Sequence, residues 1–292
     1  MDLRIEHLSK TYGNGTRALN DVSLTIPQGM FGLLGPNGAG KSTLMRILAT
    51  LQEADAGSAR LGDIDVLRDK DAVRRTLGYL PQEFGLYPKV RAEDLLDHFA
   101  VLKGITDGAE RRRIVDALFE QTNLQTSRRQ QLGAYSGGMR QRFGIAVALL
   151  GKPRLIIVDE PTAGLDPAER VRFLNLLAEL GENAVVILST HIVDDVSDLC
   201  SRMAIIDRGE IRLEAEPSSA IGDLHGKIWQ RTVERTELAE VQRTHAVIST
   251  KLAAGKTVVR VFADAPPAEF EPASATLEDV YFAALRRMPA AV

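Results

Sequence analysis

A glycine-rich loop between two apolar segments constrains this chain more than any other feature of its sequence. Residues 35–43 read Gly-Pro-Asn-Gly-Ala-Gly-Lys-Ser-Thr and match the pattern G-x-x-x-x-G-K-[ST]. The short apolar run from Met30 to Leu34 predicts a strand before the loop. After the loop, Leu44, Ile47 and Leu48 have the spacing of one helix face. A strand, a tight loop and a helix in this order predict an α/β fold.

The residue types of this loop suit a phosphate group. Glycines let the backbone curl so that its amides point inward, and the following helix presents its N-terminus to an anion. Lys41 supplies a positive charge for the outer phosphates, and the Ser42 hydroxyl suits Mg²⁺. The alternative is a glycine loop that binds nothing. The residues predicted to cradle phosphate are Gly35, Pro36, Asn37, Gly38, Ala39, Gly40, Lys41, Ser42 and Thr43.

Two neighbouring carboxylates follow a second apolar run, Leu155 to Val158. Asp159 is predicted to reach Mg²⁺ directly or through water, and Glu160 to act as the general base on an attacking water. The plainer interpretation is a strand that ends in solvent, where acidic residues are common. Together with the phosphate loop, the pair predicts a nucleoside triphosphatase without saying which kind.

The remaining patterns predict how the chain is organised. Alternating apolar residues and turn signals before residue 66 predict an antiparallel β subdomain. From about residue 88 to residue 150, apolar residues recur at helical spacing. Buried strands alternating with helices then predict a P-loop NTPase core with a mostly parallel sheet, into which the helical subdomain is inserted.

The sequence predicts two parts, residues 1–217 and a small α+β C-terminal extension, residues 218–292. The extension contains a strand-like run, Thr257 to Phe262, and a final helix from Leu277 to Arg287. It carries no chemical motif. The sequence leaves open whether it stabilises a dimer, regulates it or covers the sheet.

A third motif separates one family from other triphosphatases. Residues 135–142 read Tyr-Ser-Gly-Gly-Met-Arg-Gln-Arg and resemble the Leu-Ser-Gly-Gly-Gln signature of ABC ATPases. Ser136, Gly137 and Gly138 at a helix start form a second anion-binding nest. The resemblance implies that this nest faces the γ-phosphate held by a second copy, so that two subunits pair head to tail around two ATP molecules.

Further motifs of the ABC family follow in the expected order over residues 2 to 216. Tyr12 resembles the aromatic residue that stacks on adenine, although a surface tyrosine in a turn is the alternative. Gln82 resembles the glutamine that contacts Mg²⁺ or the attacking water and reports to the permease. Ala163-Gly164-Leu165-Asp166 resembles the loop that joins the two nucleotide sites. His191 resembles the histidine that contacts the γ-phosphate and supports the catalytic glutamate.

The resemblance implies the ATP-binding and ATP-hydrolysing subunit of an ABC transporter, with ATP and Mg²⁺ as cofactors. The implied partners are a separate membrane permease and a second nucleotide-binding subunit, which points to a homodimer at the cytoplasmic face of the membrane. The stretch 83–102 would pass motion to the permease. The Tyr-Ser-Gly-Gly-Met form and the tail Ala275 to Tyr281 resemble the drug-exporter branch. In the signature, Tyr135 and Met139 depart from the usual leucine and glutamine.

Composition sets limits on other functions. A formal net charge of -3 gives no general attraction to nucleic acid, and the arginine clusters 111–113 and 128–129 are predicted to be solvated helix faces or ends. The single cysteine, Cys200, is predicted to be a buried inert thiol. We expect no signal peptide and no spanning segment. The rival functions are a soluble ABC ATPase acting on ribosomes or DNA, which usually carries two modules, and a regulatory subunit with a dead site.

Overall fold

The computed structural model describes residues 1–82, 85, 87–162 and 165–288. Parts of three sequence predictions lie outside these residues. They are Ala163 and Gly164 of the loop before Asp166, residues 83, 84 and 86 of the stretch 83–102, and residues 289–292 of the C-terminal extension.

Within the described residues, the strands form three sheets, and ten α-helices connect or flank them. The strands are β1 (Asp2–Thr11), β2 (Arg17–Pro27), β3 (Gly29–Leu34), β4 (Ala56–Leu61), β5 (Ile64–Asp65), β6 (Leu77–Leu80), β7 (Leu155–Asp159), β8 (Val185–Thr190), β9 (Arg202–Asp207), β10 (Glu210–Ala215), β11 (Ile228–Val233), β12 (Ala246–Ala253), β13 (Lys256–Phe262) and β14 (Glu271–Pro272). The helices are α1 (Lys41–Leu48), α2 (Lys70–Thr76), α3 (Ala92–Leu102), α4 (Gly108–Gln121), α5 (Gly137–Ala148), α6 (Pro167–Gly181), α7 (Val193–Leu199), α8 (Pro217–Asp223), α9 (Leu238–Thr244) and α10 (Leu277–Leu285).

The central sheet has the strand order β10-β9-β3-β8-β7-β6. All neighbours in it are parallel except β9 and β10, which form a hairpin. Every residue of β7 and β8 is buried, as their continuous apolar runs require for strands covered on both faces. The predicted mostly parallel sheet is confirmed. Its parallel strands bring the ends of β3, β7 and β8 to one edge, where the predicted site residues follow them.

An antiparallel sheet of order β2-β1-β4-β5 packs over α1 and one face of the central sheet, which confirms the predicted antiparallel subdomain. The predicted helical insertion lies between β6 and β7 and consists of α3, α4 and α5 with two short 3-10 turns. These helices share a buried cluster that includes Phe119, Tyr135 and Phe143. Tyr135 stands where the signature usually has leucine. Its ring packs edge-on against Phe143 and its hydroxyl donates to the Ser127 carbonyl (3.0 Å).

The two arginine clusters confirm one prediction in part. Arg112, Arg113 and Arg129 are exposed as predicted. Arg111 and Arg128 are instead partly buried and form ion pairs, Arg111 with Asp97 (2.7 Å) and Arg128 with both Glu93 (2.9 Å) and Asp116 (2.7 Å). Clustered arginines look like a solvated face in sequence, but these two tie α4 and the following turn to α3. Whether an arginine is solvated or paired depends on the carboxylates that the fold places beside it, and these come from other parts of the chain.

The C-terminal residues form a third sheet, of order β12-β13-β11-β14, together with α8, α9 and α10. Helix α10 packs against α7, α8 and β12, and its Leu277, Val280 and Tyr281 belong to the same buried cluster as residues of β3, β7 and β8. The extension therefore covers part of the central core. Cys200 is buried in this cluster as predicted, and burial raises the pKa of its thiol to about 12. Among the described residues, no helix has the length and apolar character required to span a bilayer.

Candidate functional site

The phosphate loop connects β3 to α1 through backbone that only glycine accommodates comfortably. Gly40 has φ +110°, and a Cβ there would lie 2.5 Å from the Ala18 carbonyl oxygen. A Cβ on Gly35 would lie 2.4 Å from the Ile206 carbonyl oxygen. The loop is thus pressed between β2 and β9. Helix α1 begins at Lys41 with no side-chain cap, so its first amides remain available to an anion.

Lys41 is 5% exposed and lies folded within its own loop. Its ammonium group donates to the Gly35 carbonyl (2.6 Å) and the Pro36 carbonyl (3.2 Å). It also lies 3.9 Å from a carboxylate oxygen of Glu160. Burial lowers the pKa of Lys41, while Glu160 and Asp159 act in the opposite direction. The cation is held at the base of the loop, where the outer phosphates of a nucleotide are expected.

Glu160 is the point at which three predicted site residues meet. Its carboxylate lies 3.2 Å from Nδ1 of His191, accepts a hydrogen bond from Nε2 of Gln82 (3.4 Å) and approaches Lys41. The backbone holds Glu160 in a left-handed conformation, φ +47°, and its N–H donates to the Ser189 carbonyl (2.8 Å). Left-handed backbone is uncommon outside glycine and occurs both in turns and at functional sites. Residues far apart in the chain thus surround one carboxylate.

Asp159 ends β7 and lies beside Ser189 in the neighbouring strand β8. Asp159 is 4% exposed. Within the described residues, its Oδ1 and the Ser189 hydroxyl are buried without a hydrogen-bond partner. Buried polar atoms are normally paired, so two unpaired oxygens at the strand ends suit a hydrated cation. Ser189 did not stand out in the sequence. The only signal there is a polar Ser-Thr-His run at the end of an apolar strand.

An open cavity of about 530 Å³ lies over the phosphate loop and is also lined by Gln82 and Glu160. Tyr12 also lines it, and the Tyr12 hydroxyl is hydrogen-bonded to Thr43 (3.0 Å) and Gln52 (3.4 Å). The bond to Thr43 lowers the pKa of Tyr12. Thr16, Arg17 and Ala18 line the same side, and sequence reasoning missed them together with Gln52. Nothing in their local pattern separates them from ordinary strand and turn residues.

The signature residues lie apart from this cavity in their own chain. Ser136 caps α5, where its hydroxyl accepts the Met139 N–H (3.2 Å), so the predicted helix start is present. Asp166 caps α6 by accepting the Glu169 N–H (2.9 Å). None of Ser136, Gly137, Gly138 and Asp166 lines the cavity over the phosphate loop. The chain therefore assembles the phosphate loop, Gln82, Asp159, Glu160 and His191 at one place, and the signature nest at another.

The chain is similar to ATP-binding proteins of ABC transporters. A family profile described as "ABC transporter" matches residues 19–163. The chain is 36% identical over 211 residues to the linearmycin resistance ATP-binding protein LnrL of Bacillus subtilis, with 72% of this chain and 67% of LnrL covered. It is 31% identical over 304 aligned positions to the uncharacterised ABC transporter ATP-binding protein YxlF of the same organism, with 96% of this chain and 98% of YxlF covered.

A solved structure also resembles the chain. The dimeric ATP-binding cassette MJ0796, in a post-hydrolysis state bound to ADP and Pi, superposes with a TM-score of 0.67 at 28% identity. The match covers 73% of this chain and 98% of the cassette.

Proposed function

Because this chain belongs to the ABC transporter family of ATP-binding proteins, we propose that it binds and hydrolyses ATP to drive export through a separate membrane permease. The observation that carries the proposal is the convergence of Lys41, Gln82 and His191 on Glu160 beside the phosphate loop. An intact set of this kind favours turnover over a purely structural role. Similarity to the linearmycin resistance protein LnrL supports the export direction.

The proposed hydrolysis divides the work among residues that are already in place. The loop amides and Lys41 hold the outer phosphates, and the ring of Tyr12 offers a face to adenine. Glu160 accepts a proton from the attacking water, and His191 keeps the Glu160 carboxylate oriented through their 3.2 Å contact. Preorganisation of this kind supplies most of the catalysis in phosphoryl transfer, which involves little covalent chemistry by the protein.

Magnesium fits the residues present. Ser42 and Gln82 line the cavity, and the unpaired Oδ1 of Asp159 lies at the adjoining strand end. Hydroxyl, amide and carboxylate oxygens are the ligands that Mg²⁺ prefers. When bound, the ion would neutralise charge that develops on the transferring phosphoryl group.

A second copy of the chain is proposed to complete each site. Ser136 and the glycines after it begin α5 away from the chain's own cavity, so they are free to reach a nucleotide held by a partner. The dimeric state of the MJ0796 cassette supports this arrangement. Release of phosphate would remove the charge that bridges the two subunits, and the dimer would open.

An apolar groove of about 370 Å³ is the proposed docking site for the permease at the cytoplasmic face of the membrane. It is lined by Leu77 and Tyr79 of β6, the strand that leads to Gln82. Leu51 and Leu102, on its rim, are 64% and 68% exposed. Large apolar side chains that remain exposed beside one another mark interaction sites. Because β6 both lines the groove and leads to Gln82, a shift of Gln82 during the ATP cycle would move the wall of the groove.

The test combines hydrolysis with location in the native host. The purified chain should hydrolyse ATP in a Mg²⁺-dependent manner, and the chain in cells should sediment with membranes and not with ribosomes. Replacing Leu51 and Leu102 together by Asp should release it from membranes and leave hydrolysis by the isolated subunit intact. Val171→Asp is the matched control, because Val171 is 58% exposed on α6 outside the groove. Sedimentation with ribosomes, or absence of hydrolysis, would refute the proposal.

A further inference from the structure

Asp195 is a carboxylate that hydrolysis itself does not use, yet it lies close to the site and is completely buried. It belongs to α7 and has 0% exposure. Its Oδ1 accepts from Nε (2.8 Å) and Nη2 (2.6 Å) of Arg170, and its Oδ2 accepts from the Thr162 hydroxyl (2.9 Å). Both carboxylate oxygens are therefore occupied by side chains from other segments.

Asp195 and its partner Thr162 belong to the two segments that carry the proposed hydrolytic residues. Thr162 lies two residues after Glu160, and Asp195 lies four residues after His191. These two segments contact each other at two places. Nearer the solvent, His191 contacts Glu160 (3.2 Å). In the interior, Thr162 donates a hydrogen bond to Asp195. Two non-covalent contacts therefore hold the segments together, one at the reacting carboxylate and one in the buried layer below it.

Packing fixes α7 on its other side. Val196 lies against Gly32 of β3, and a Cβ on Gly32 would lie 2.5 Å from Cγ1 of Val196. The helix therefore rests directly on the strand that leads into the phosphate loop. With α7 held there, the bonds of Asp195 determine where Thr162 lies, and Thr162 limits where Glu160 can move.

Burying a carboxylate is a costly way to fill space. Asp195 is completely buried, whereas the Arg170 side chain is 32% exposed. The attraction between a carboxylate and a guanidinium barely repays their removal from water, and apolar side chains of similar volume often serve stability as well or better. What hydrogen-bonded pairs can provide is one defined arrangement of the segments that they join. At this position, the defined arrangement is that of the Glu160 segment relative to the His191 segment.

We propose that Asp195 is a positioning residue for ATP hydrolysis, which holds Thr162 and Arg170 so that His191 and Glu160 stay in contact. This role rests on the proposed function. Arg170 lies in the first turn of α6, which Asp166 caps. The bond from Arg170 to Asp195 therefore also fixes the segment expected to face the second subunit relative to the reacting carboxylate.

Two substitutions test this role without touching Lys41 or Glu160. Thr162→Val removes only the hydroxyl, and Asp195→Asn keeps the shape of the side chain. Because small misplacements of reacting groups cost up to about 10²-fold in rate, we expect kcat to fall by about 10-fold to 100-fold in each variant. KM for ATP should stay within about 3-fold, since the groups that bind the phosphates are unchanged.

The chain offers a matched control in its C-terminal part. Asp279 is 2% exposed and accepts from Arg260 (2.8 and 2.7 Å) and from the Thr276 hydroxyl (2.8 Å). Asp279→Asn therefore disrupts an Asp-Arg-Thr cluster of the same chemistry, built around a buried carboxylate away from the cavity. We expect it to lower the melting temperature about as much as Asp195→Asn and to leave kcat unchanged. A kcat loss equal to that of Asp195→Asn would mean that general destabilisation explains both effects.

A double-mutant cycle with His191→Ala identifies the route of action. If Asp195 acts through the contact between His191 and Glu160, adding Thr162→Val to His191→Ala should lower kcat by less than about 3-fold further. Fully multiplicative losses, or a Thr162→Val variant with wild-type kcat, would overturn the role of Asp195. Should Asp195→Asn fail to fold, Thr162→Val alone decides. Absence of hydrolysis by the wild-type chain would instead overturn the proposed function and this role with it.

Discussion

Replacing Lys41 by Met should separate two effects of one buried charge. At about 4 Å and an effective dielectric constant of about 20, a unit charge contributes about 4 kcal/mol to the attraction of a phosphate. Since about 1.4 kcal/mol is a factor of ten, Lys41→Met should weaken ATP binding by about 10³-fold. Met keeps a similar length and an apolar stem, so the loop loses the charge and the hydrogen bonds to the Gly35 and Pro36 carbonyls but little of its packing.

Thermal unfolding with and without ATP measures this loss. ATP at about 100 times its Kd should stabilise the wild type by about 2.7 kcal/mol, whereas a site weakened about 10³-fold gains less than about 0.1 kcal/mol. At about 2–4 °C per kcal/mol, the wild-type melting temperature should rise by about 5–10 °C and that of Lys41→Met should not change. An undiminished rise in the variant would refute the assignment of Lys41 to the phosphates.

Without nucleotide, the same substitution removes a charge that burial penalises, together with the two hydrogen bonds that Lys41 donates to its loop. Burial lowers the pKa of Lys41, so the folded chain holds this proton less tightly than the unfolded chain does. The penalty is present at neutral pH and is relieved as the pH rises from the lowered pKa towards the ordinary value of 10.5. The stability of Lys41→Met relative to the wild type should therefore fall as the buffer becomes alkaline, as urea unfolding at several pH values would record.

Lys103 provides the control for these measurements. Its ammonium group also donates to two backbone carbonyls, those of Arg74 (2.9 Å) and Leu77 (2.6 Å), and burial also lowers its pKa. It does not line the cavity over the phosphate loop. Lys103→Met should therefore change stability without changing the rise in melting temperature that ATP causes. A loss of that rise in both variants would point to distortion of the fold and not to a lost phosphate contact.

Three further predictions follow from the site. Glu160→Gln should lower the hydrolysis rate by about 10²-fold to 10⁴-fold and accumulate an ATP-bound dimer on gel filtration, and brisk turnover would exclude Glu160 as the base. Mixing Lys41→Met with Ser136→Arg should restore part of the ATPase activity that each lacks alone, because one of the two composite sites is then intact; no recovery would argue against shared sites. Cys200, whose pKa burial raises to about 12, should resist alkylation at pH 8 until the chain unfolds, as mass spectrometry would show.

The sequence predicted those parts of the fold that local patterns specify. The continuous apolar runs of β7 and β8 and the glycine loop before α1 each lie where expected. The meeting of Gln82, Glu160 and His191 was predicted only through the family resemblance, since these residues are far apart in the chain. The structure supplies the reason, because parallel neighbours β6, β7 and β8 end at the same edge of the sheet.

Other features depend on contacts with distant residues of the same chain, which the sequence does not reveal. Asp194 and Asp195 look equivalent on a short helix, yet Asp194 is exposed and Asp195 is completely buried with Arg170 and Thr162. The apolar face of α10 is visible in the sequence, but its packing against α7 and α8 is not. In both cases, the outcome depends on which distant segment arrives opposite the residue, and that is a property of the assembled fold.

The first turn of α6 explains how separate parts of the chain act as one unit. Asp166 caps this turn, and Glu169 within it lies 3.3 Å from Arg142 of the signature helix α5. Arg170, the next residue, is bonded to Asp195. These contacts form one continuous chain through a single helical turn. We therefore expect a partner that presses on the start of α5 or on Asp166 to act on the segment that holds Glu160, so that hydrolysis depends on closure of the second subunit. A double-mutant cycle between Glu169 and Asp195 with additive losses in kcat would refute this coupling.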